Sequence, residues 1–311
     1  MPREFAQLTW NEQTIDDCRQ LVRLAVREDL DRGWDWTTVA LVPPSGRGGA
    51  VLAARQSGVV CGLRAAELAL QEMHADITWR TCVEDGSAVE PGTTLAHLQG
   101  SARDLLTCER IALNFVGRLS GISTLTRRHV EAIRGTTAAV YDTRKTAPGW
   151  RRLEKYAVHC GGGRNHRTGL FDAVLIKDNH LAFGVDPASG AKYGPADAVR
   201  RAREFLAQAA ADNPGLADLP VEIEVDTLEQ LALVLPAGPD IVLLDNMSLE
   251  QLREAVALRW QAAPEVQLEA SGGVTLTTIR AIAETGVERI SVGALTHSAV
   301  ALDVGLDWGD A

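Results

Sequence analysis

The sequence lacks the marks of several common protein classes. Its 311 residues hold no uninterrupted apolar run that approaches the about 18–20 residues a membrane helix needs. The start, MPREFAQLTWNEQTIDD, shows no basic stretch leading into an apolar one, so no secretory signal is expected and a cytoplasmic location is. The five cysteines (Cys18, Cys61, Cys82, Cys108 and Cys160) are odd in number and widely spaced, with no CxxC. Reduced thiols are expected rather than a disulfide framework or a zinc site. Positive charge is in deficit, with 31 Lys and Arg against 41 Asp and Glu and a net charge of −10. Nucleic acid is therefore not expected as a partner, since it usually needs a basic face. There is no internal repeat and no low-complexity segment beyond Gly161–Gly163.

What is present is a large apolar fraction, 46% of residues, enough for one or two domains with a sizeable core. Residues 12–30 carry Ile15, Cys18, Leu21, Val22, Ala25 and Val26 at helical spacing. The stretch LDRGWDWTT, 30–38, reads as a loop. Residues 39–100 read as β-rich, with Gly-bounded apolar runs and a helix near Arg64–His74. From Ala102 the pattern predicts a mostly buried helix, followed by a second to about Ile133.

From Thr137 a different rhythm begins. The runs AAVYDT, AVLIKDN, VEIEVDT, IVLLDNM, VQLEASGG and RISVGAL alternate with helical stretches. Two of those begin with capping patterns, Thr227-x-x-Gln230 and Ser248-x-x-Gln251. Alternating strands and helices imply a parallel sheet. Six such units without a G-x-G-x-x-G favour a β/α barrel over a doubly wound sheet. Barrel chemistry sits at the C-terminal strand ends, where Asp142, Lys177, Glu224, Asp245, Glu269–Ser271 and Gly293 fall.

Three constellations stand out there. Glu224 and Asp245 close neighbouring strands and could hold Mg²⁺, which takes oxygen ligands; they could equally cap helices or pair with Lys177. Ser271-Gly272-Gly273 and Gly293 form glycine turns at late strand ends, which can cradle phosphate or simply permit tight turns; Thr275 and His297 could add hydrogen bonds. Arg144, Lys145, His166, Arg167 and Lys177 form a basic focus in an acidic chain. It suits a small, multiply charged anion. Arg151, Arg152 and Lys155 read as a solvated helical face. Arg110 lies in an apolar helix and, if buried, needs an anionic partner. Trp34, Trp36 and Trp150 read as packing residues.

The run DTRKTAPGWRRLEKYAVHCGGGRNHRTGLFDAVLIKDNH, with VEIEVDTLEQ, IVLLDNM, LEASGGVT and SVGALTHSA, resembles the quinolinate phosphoribosyltransferase family. REDLDRG-x-DWTT and ERIALNFVGRLSGIST resemble it too, so the likeness covers essentially the whole chain. The resemblance implies an α/β fold: an N-terminal α/β sandwich domain, 1–117, to which the tail 296–311 returns, and an open, incomplete, TIM-like β/α barrel, 118–295. It implies a homodimer with shared active sites, and leaves dimer versus hexamer open. It implies that quinolinate and phosphoribosyl pyrophosphate, with Mg²⁺, give nicotinate mononucleotide, pyrophosphate and carbon dioxide in NAD synthesis.

Residue by residue, the resemblance makes Arg144, His166 and Arg167 the binders of quinolinate carboxylates. Lys145 and Lys177 meet carboxylate and phosphate groups. Arg110 comes from the partner subunit. Glu224 and Asp245 lie near ribose and metal, in direct contact or through water or substrate. Ser271, Gly272, Gly273, Gly293 and His297 belong to the 5′-phosphate loops. Ala147 stands where the family often has Thr, Arg164 where it often has His, and Trp34 and Trp36 decorate a loop usually written GDIT. None of these removes a charged site residue.

Three rival readings stand against this. A molybdenum-associated homologue would use another base, but the intact Arg110, Arg144, His166 and Arg167 set favours quinolinate. An aldolase or isomerase would use Lys177 as a Schiff-base residue. A regulatory protein would bind quinolinate without turnover.

Overall fold

The computed structural model describes residues 3–309. In chain order it begins with α1 (Glu12–Leu30), α2 (Trp36–Leu41), β1 (Arg47–Ala54), β2 (Gly58–Val59), α3 (Leu63–Glu72), β3 (Ile77–Thr81), β4 (Ala88–Val89), β5 (Thr94–Ser101) and α4 (Ala102–Ala132). Then follow β6 (Ala139–Tyr141), α5 (Arg151–Cys160), β7 (Val174–Ile176), α6 (Asp178–Phe183), α7 (Pro195–Ala209), β8 (Val221–Val225), α8 (Leu228–Val234) and β9 (Ile241–Asp245). The chain closes with α9 (Leu249–Ala262), β10 (Gln267–Ser271), α10 (Ile279–Ala283), β11 (Arg289–Ser291), α11 (Ala294–His297) and β12 (Val304–Gly309).

The residues fall into two compact units. One contains 3–7, 129–144 and 164–293; the other contains 8–128, 145–163 and 294–309. This division is finer than the domains 1–117 and 118–295 expected from the sequence, because short segments are exchanged.

The first unit carries a six-stranded parallel sheet in the order β6-β11-β10-β9-β8-β7. Apart from β6, neighbours in the sheet are neighbours in the chain. Consecutive β6 and β7 are instead the two edges, so the ring is open between them. This is the incomplete β/α barrel. All six alternating runs of the sequence became its strands. The open edge of β6 is extended by residue 164: Arg164 bridges Tyr141, its amide donates to the Val140 carbonyl at 2.8 Å, and its own carbonyl accepts from the Asp142 amide at 3.0 Å.

Helix caps follow sequence chemistry. Ser248 and Gln251 form the full reciprocal box that opens α9. Thr227 accepts from the Gln230 amide, but the Gln230 side chain takes the Asp226 amide instead of returning to Thr227. Either arrangement satisfies donors that the helix itself cannot.

The second unit carries an antiparallel sheet in the order β12-β1-β5-β3, a short β2-β4 pair and α1 to α5. Its core is apolar and includes Leu52, Val60, Leu63, Leu70, Leu95, Leu98, Leu105 and Val116. The tail residues 304–309 form β12 and pair with β1 from Ala54↔Val304 to Gly49↔Gly309. The tail also lies directly on α4. A Cβ at Gly121 would meet the Val300 carbonyl oxygen at 2.1 Å, and the Leu302 amide donates to the Gly117 carbonyl at 2.9 Å. Glycine inside a helix costs about 1 kcal/mol against alanine. Here it permits a close approach that no side chain allows.

Four local expectations are corrected. The segment after Ala102 is one helix of 31 residues, not two. The 30–38 loop ends early, because Asp35 caps α2 by accepting from the Thr38 amide and hydroxyl. Lys155 is fully buried rather than part of a solvated face, and Arg152 pairs with Asp17 at 3.0 Å. Trp34 and Trp36 are each 69% exposed, while Trp150 stacks on Phe115 at 5.0 Å.

Candidate active site

The parallel strands set a mouth of polar side chains in the first unit. Glu224, Asp245 and Ser271 lie at or next to the ends of β8, β9 and β10. Lys177 follows β7, and its Nζ is in contact with Glu224. The expected pairing of these two is therefore present. Asp245 accepts from the Asn246 side-chain amide at 2.8 Å. Both acids are half-buried.

Next to Asp245 the chain turns with Asn246 at φ 53°, and Gly272 follows Ser271 at φ 96°. A Cβ at Gly272 would lie 2.1 Å from Asn246 Oδ1, so only glycine fits. Gly273 also has positive φ, at 60°, with open space where a Cβ would stand. The Ser271-Gly272-Gly273 turn thus exposes backbone at a strand end, the arrangement expected from the sequence. Gly293 follows β11.

The basic focus divides between the units. Arg144, His166, Arg167 and Lys177 belong to the first; Lys145, Arg110 and His297 belong to the second. Each group is described within its own unit.

In the first unit, the segment after the glycine run is pinned to β6. The buried Asp142 carboxylate receives the His166 amide at 2.9 Å and the Asn165 side chain at 2.7 Å. Arg167 is 6% exposed and donates from Nη1 to the Ala173 carbonyl at 3.2 Å. Burial and the neighbouring Arg144 guanidinium pull its pKa down. Nε of Arg144 and Nε of Arg167 are buried and make no hydrogen bond. Two neighbouring guanidiniums with buried donors are a built site for anionic oxygen.

His166 is 5% exposed and packs against Phe5 in a tilted arrangement, with ring centroids 4.4 Å apart. Its Nδ1 accepts from the Arg167 amide at 2.9 Å. Its Nε2 lies 3.0 Å from Glu222 Oε2 and 3.5 Å from Glu269 Oε1. Burial disfavours the imidazolium, but these two carboxylates outweigh it and push the pKa up. The amide on Nδ1 leaves Nε2 as the nitrogen that carries the proton.

Several of these groups gave no sequence signal. Glu222 looked like an ordinary strand residue, while Glu269 stood out only as the first of the polar residues that close its strand. Arg289 is fully buried, donates to Glu269 Oε2 at 2.9 Å, contacts Glu4 and lies over the Tyr141 ring at 3.7 Å. Glu4, Phe5 and Gln7, from the N-terminal segment, all join the first unit; Gln7 exchanges hydrogen bonds with the Asn165 backbone at 2.8 and 3.2 Å. Only the alternation of strand residues, which turns Glu222 to the same side as Glu224, could have drawn attention to Glu222.

In the second unit, Lys145 is exposed. Its carbonyl accepts from Thr296 Oγ1 at 2.8 Å. Arg118 donates to buried Glu154 at 2.7 Å, to the Thr296 carbonyl at 2.6 Å and to the Ala299 carbonyl at 3.1 Å. Glu154 also accepts from the Ala147 amide at 3.3 Å. Arg118 and Glu154 therefore tie together the segments that carry Lys145 and His297. Arg110 is exposed on α4, which removes the reading of it as a buried arginine with an acidic partner.

Comparison with known proteins decides the family. The family model for the quinolinate phosphoribosyl transferase N-terminal domain matches residues 35–120, and that for its C-terminal domain matches 122–307. The chain belongs to the quinolinate phosphoribosyltransferase family. The nicotinate-nucleotide pyrophosphorylase [carboxylating] of Mycobacterium leprae (strain TN) is 45% identical over 295 residues, which are 94% of this chain and 98% of that one. The nicotinate-nucleotide pyrophosphorylase [carboxylating], chloroplastic, of Arabidopsis thaliana is 36% identical, covering 93% of this chain and 82% of that one. The solved nicotinate-nucleotide pyrophosphorylase of Francisella tularensis superposes with a TM-score of 0.86 at 35% identity, covering 98% of this chain and 100% of that one. The fold with its incomplete β/α barrel is thus shared with a solved relative. No helix among the described residues is long and apolar enough to cross a membrane.

Proposed function

We propose that this chain transfers the phosphoribosyl group of phosphoribosyl pyrophosphate to quinolinate and releases pyrophosphate and carbon dioxide. The product is nicotinate mononucleotide, a precursor in NAD synthesis. The observation that carries the reading is the pair of neighbouring guanidiniums, Arg144 and Arg167, with buried donors. Quinolinate has two adjacent carboxylates. A pair of planar cations offsets both charges and orients the ring nitrogen toward the ribose.

Glu224 and Asp245, near the ribose, stabilise the cationic character that C1 acquires as pyrophosphate leaves. Lys177, held by Glu224, meets a substrate carboxylate or phosphate. The Ser271-Gly272-Gly273 turn and Gly293 present backbone to the 5′-phosphate. Attack by the ring nitrogen makes a pyridinium. The positive nitrogen then stabilises the carbanion left when the adjacent carboxylate departs as carbon dioxide. Positioning and charge neutralisation suffice, and no covalent nucleophile is needed.

The donor chemistry at the mouth fits Mg²⁺, since Glu224 and Asp245 offer carboxylate oxygens at adjacent strand ends. When bound, Mg²⁺ neutralises pyrophosphate charge. Roles for Lys145, Arg110 and His297 rest on the resemblance, as do the homodimer with shared sites and the cytoplasmic location. The contact of Lys177 with Glu224 speaks against the Schiff-base reading, which needs a free amine.

The test is a turnover assay with quinolinate, phosphoribosyl pyrophosphate and Mg²⁺, following nicotinate mononucleotide and carbon dioxide together. Arg144→Ala or Arg167→Ala should cut kcat/KM for quinolinate by about a hundredfold or more, as expected for losing a charged contact. Wild-type activity on nicotinate instead of quinolinate would refute the reading.

A further inference from the structure

Residues 3–7 form no helix or strand, yet they belong to the unit that holds the anion site. Their side chains anchor them there. Glu4 accepts from the Tyr141 hydroxyl at 2.9 Å and contacts Arg289. Phe5 is 4% exposed and packs with Ala173 and Ile241. Ala173 precedes β7, Ile241 opens β9 and Arg289 opens β11. The segment is therefore anchored at the N-terminal strand ends, away from Glu224, Asp245 and Ser271 at the mouth.

Gln7 follows this anchor. Its side-chain amide bonds backbone at three points. Oε1 accepts from the Asn165 amide at 2.8 Å, and Nε2 donates to the Asn165 carbonyl at 3.2 Å and to the Phe5 carbonyl at 3.0 Å. A flipped amide would set donor against donor, so the two Asn165 contacts fix its orientation. Asn165 is fully buried, and its side chain donates to the Asp142 carboxylate at 2.7 Å. The same carboxylate takes the His166 amide at 2.9 Å. The backbone that carries His166 and Arg167 is thus gripped twice, by Asp142 and by Gln7.

We propose that Gln7 is a positioning residue for quinolinate: by holding both backbone groups of Asn165, it fixes the backbone from which His166 and Arg167 reach the substrate carboxylates. The Phe5 ring, 4.4 Å from the His166 imidazole between centroids, backs the same segment. A displacement of even about 1 Å in a binding group can cost on the order of a hundredfold. The proposal rests on the proposed function in one respect, the assignment of His166 and Arg167 to quinolinate carboxylates. Glu4 and Phe5 anchor the segment without Gln7, so its replacement should leave the fold intact.

The experiment uses three variants of the full chain. Gln7→Met keeps the length of the side chain and removes both bonds to Asn165. Gln7→Ala opens the place to water, which can satisfy the Asn165 groups without clamping them. Arg3→Ala is the control: it alters the same segment where Arg3 approaches Asp240 at 3.9 Å. Two readouts are taken. One is the separate KM for quinolinate and for phosphoribosyl pyrophosphate; the other is hydrogen exchange at the Asn165 amide. Both Gln7 variants should raise the quinolinate KM about tenfold, leave the phosphoribosyl pyrophosphate KM unchanged and speed exchange at Asn165 about tenfold or more. Arg3→Ala should change none of these.

An unchanged quinolinate KM in the Gln7 variants would overturn the proposal, as would equal rises in both KM values or unaltered exchange at Asn165. A raised quinolinate KM in Arg3→Ala would assign the effect to the segment as a whole and overturn the role of Gln7. Failure of both Gln7 variants to fold would overturn it too, since Gln7 would then hold the fold rather than the site. A wild type that converts no quinolinate would instead overturn the proposed function, and exchange at Asn165 would still report whether Gln7 clamps it.

Discussion

The two units both have apolar cores but differ in how much charge they bury: the antiparallel one buries Glu154 and Lys155, the parallel one a larger set. The antiparallel unit fills its interior with Leu52, Leu63, Leu95, Leu98 and Leu105. The parallel unit buries Glu222, Glu269, Arg289 and His166 among its strands. An apolar core gains from every contact and loses in proportion to what is removed. A charged interior is tolerated only while each charge keeps its partner. The comparison teaches where specificity is kept: the unit with the anion site is also the unit with the costly interior.

The largest effect should come from breaking that interior. Arg289→Met removes the nearest cation of Glu269 and Glu4 and should cost about 3–5 kcal/mol, read by denaturant unfolding. Adding Glu269→Leu to the same chain should recover much of the loss, since the uncompensated charge is removed with its partner. An additive double variant would erase the distinction between the units.

The apolar unit should respond differently. Leu95→Ala, at a fully buried site, should cost about 2–5 kcal/mol through lost burial and the cavity left behind. No second substitution of opposite charge can rescue it.

A smaller effect is expected at the surface of the same unit. Hydrogen bonds from the Thr38 side chain and amide hold the Asp35 carboxyl below its ordinary value. Asp35→Ala should cost about 1 kcal/mol. Because the folded-state pKa is depressed, the contribution is present above the ordinary carboxylate range and is lost as pH falls through the folded value. The difference between wild type and Asp35→Ala should therefore shrink on acidification, as thermal unfolding at several pH values will show.

Thiol labelling gives the mildest probe. Burial pushes Cys18 and Cys108 up to about 12 and Cys61 well above its ordinary value. Cys160, half-buried, is drawn down chiefly by a hydrogen bond from Cys61, and Cys82 is exposed. Iodoacetamide on the folded protein should label Cys82 and Cys160 and spare the other three, as peptide mass mapping will reveal.

The same contrast explains what could be read from the chain. The six parallel strands were legible because a buried parallel strand is a continuous apolar run, and their polar ends marked the mouth. Lys177, Glu224 and Asp245 were found that way, Arg144 and Arg167 as part of the basic focus, and the structure places all five in one unit. Glu222 and Arg289 were not, because a charged side chain in a strand reads as solvent-facing until its partner across the sheet is known. Glu4 and Phe5 were invisible for a related reason: they meet Arg289 and His166 across more than 150 residues. The continuous α4 was missed because Gly117 and Gly121 look like helix breakers until the tail is seen lying on them.

The most direct test of the central claim is a competition between quinolinate and nicotinate for wild-type protein, with phosphoribosyl pyrophosphate and Mg²⁺ in excess. The account predicts that quinolinate alone is converted, with one carbon dioxide released for each nicotinate mononucleotide formed. Conversion of nicotinate at a comparable rate would contradict it, because a site built on Arg144 and Arg167 for two carboxylates would then be indifferent to the loss of one.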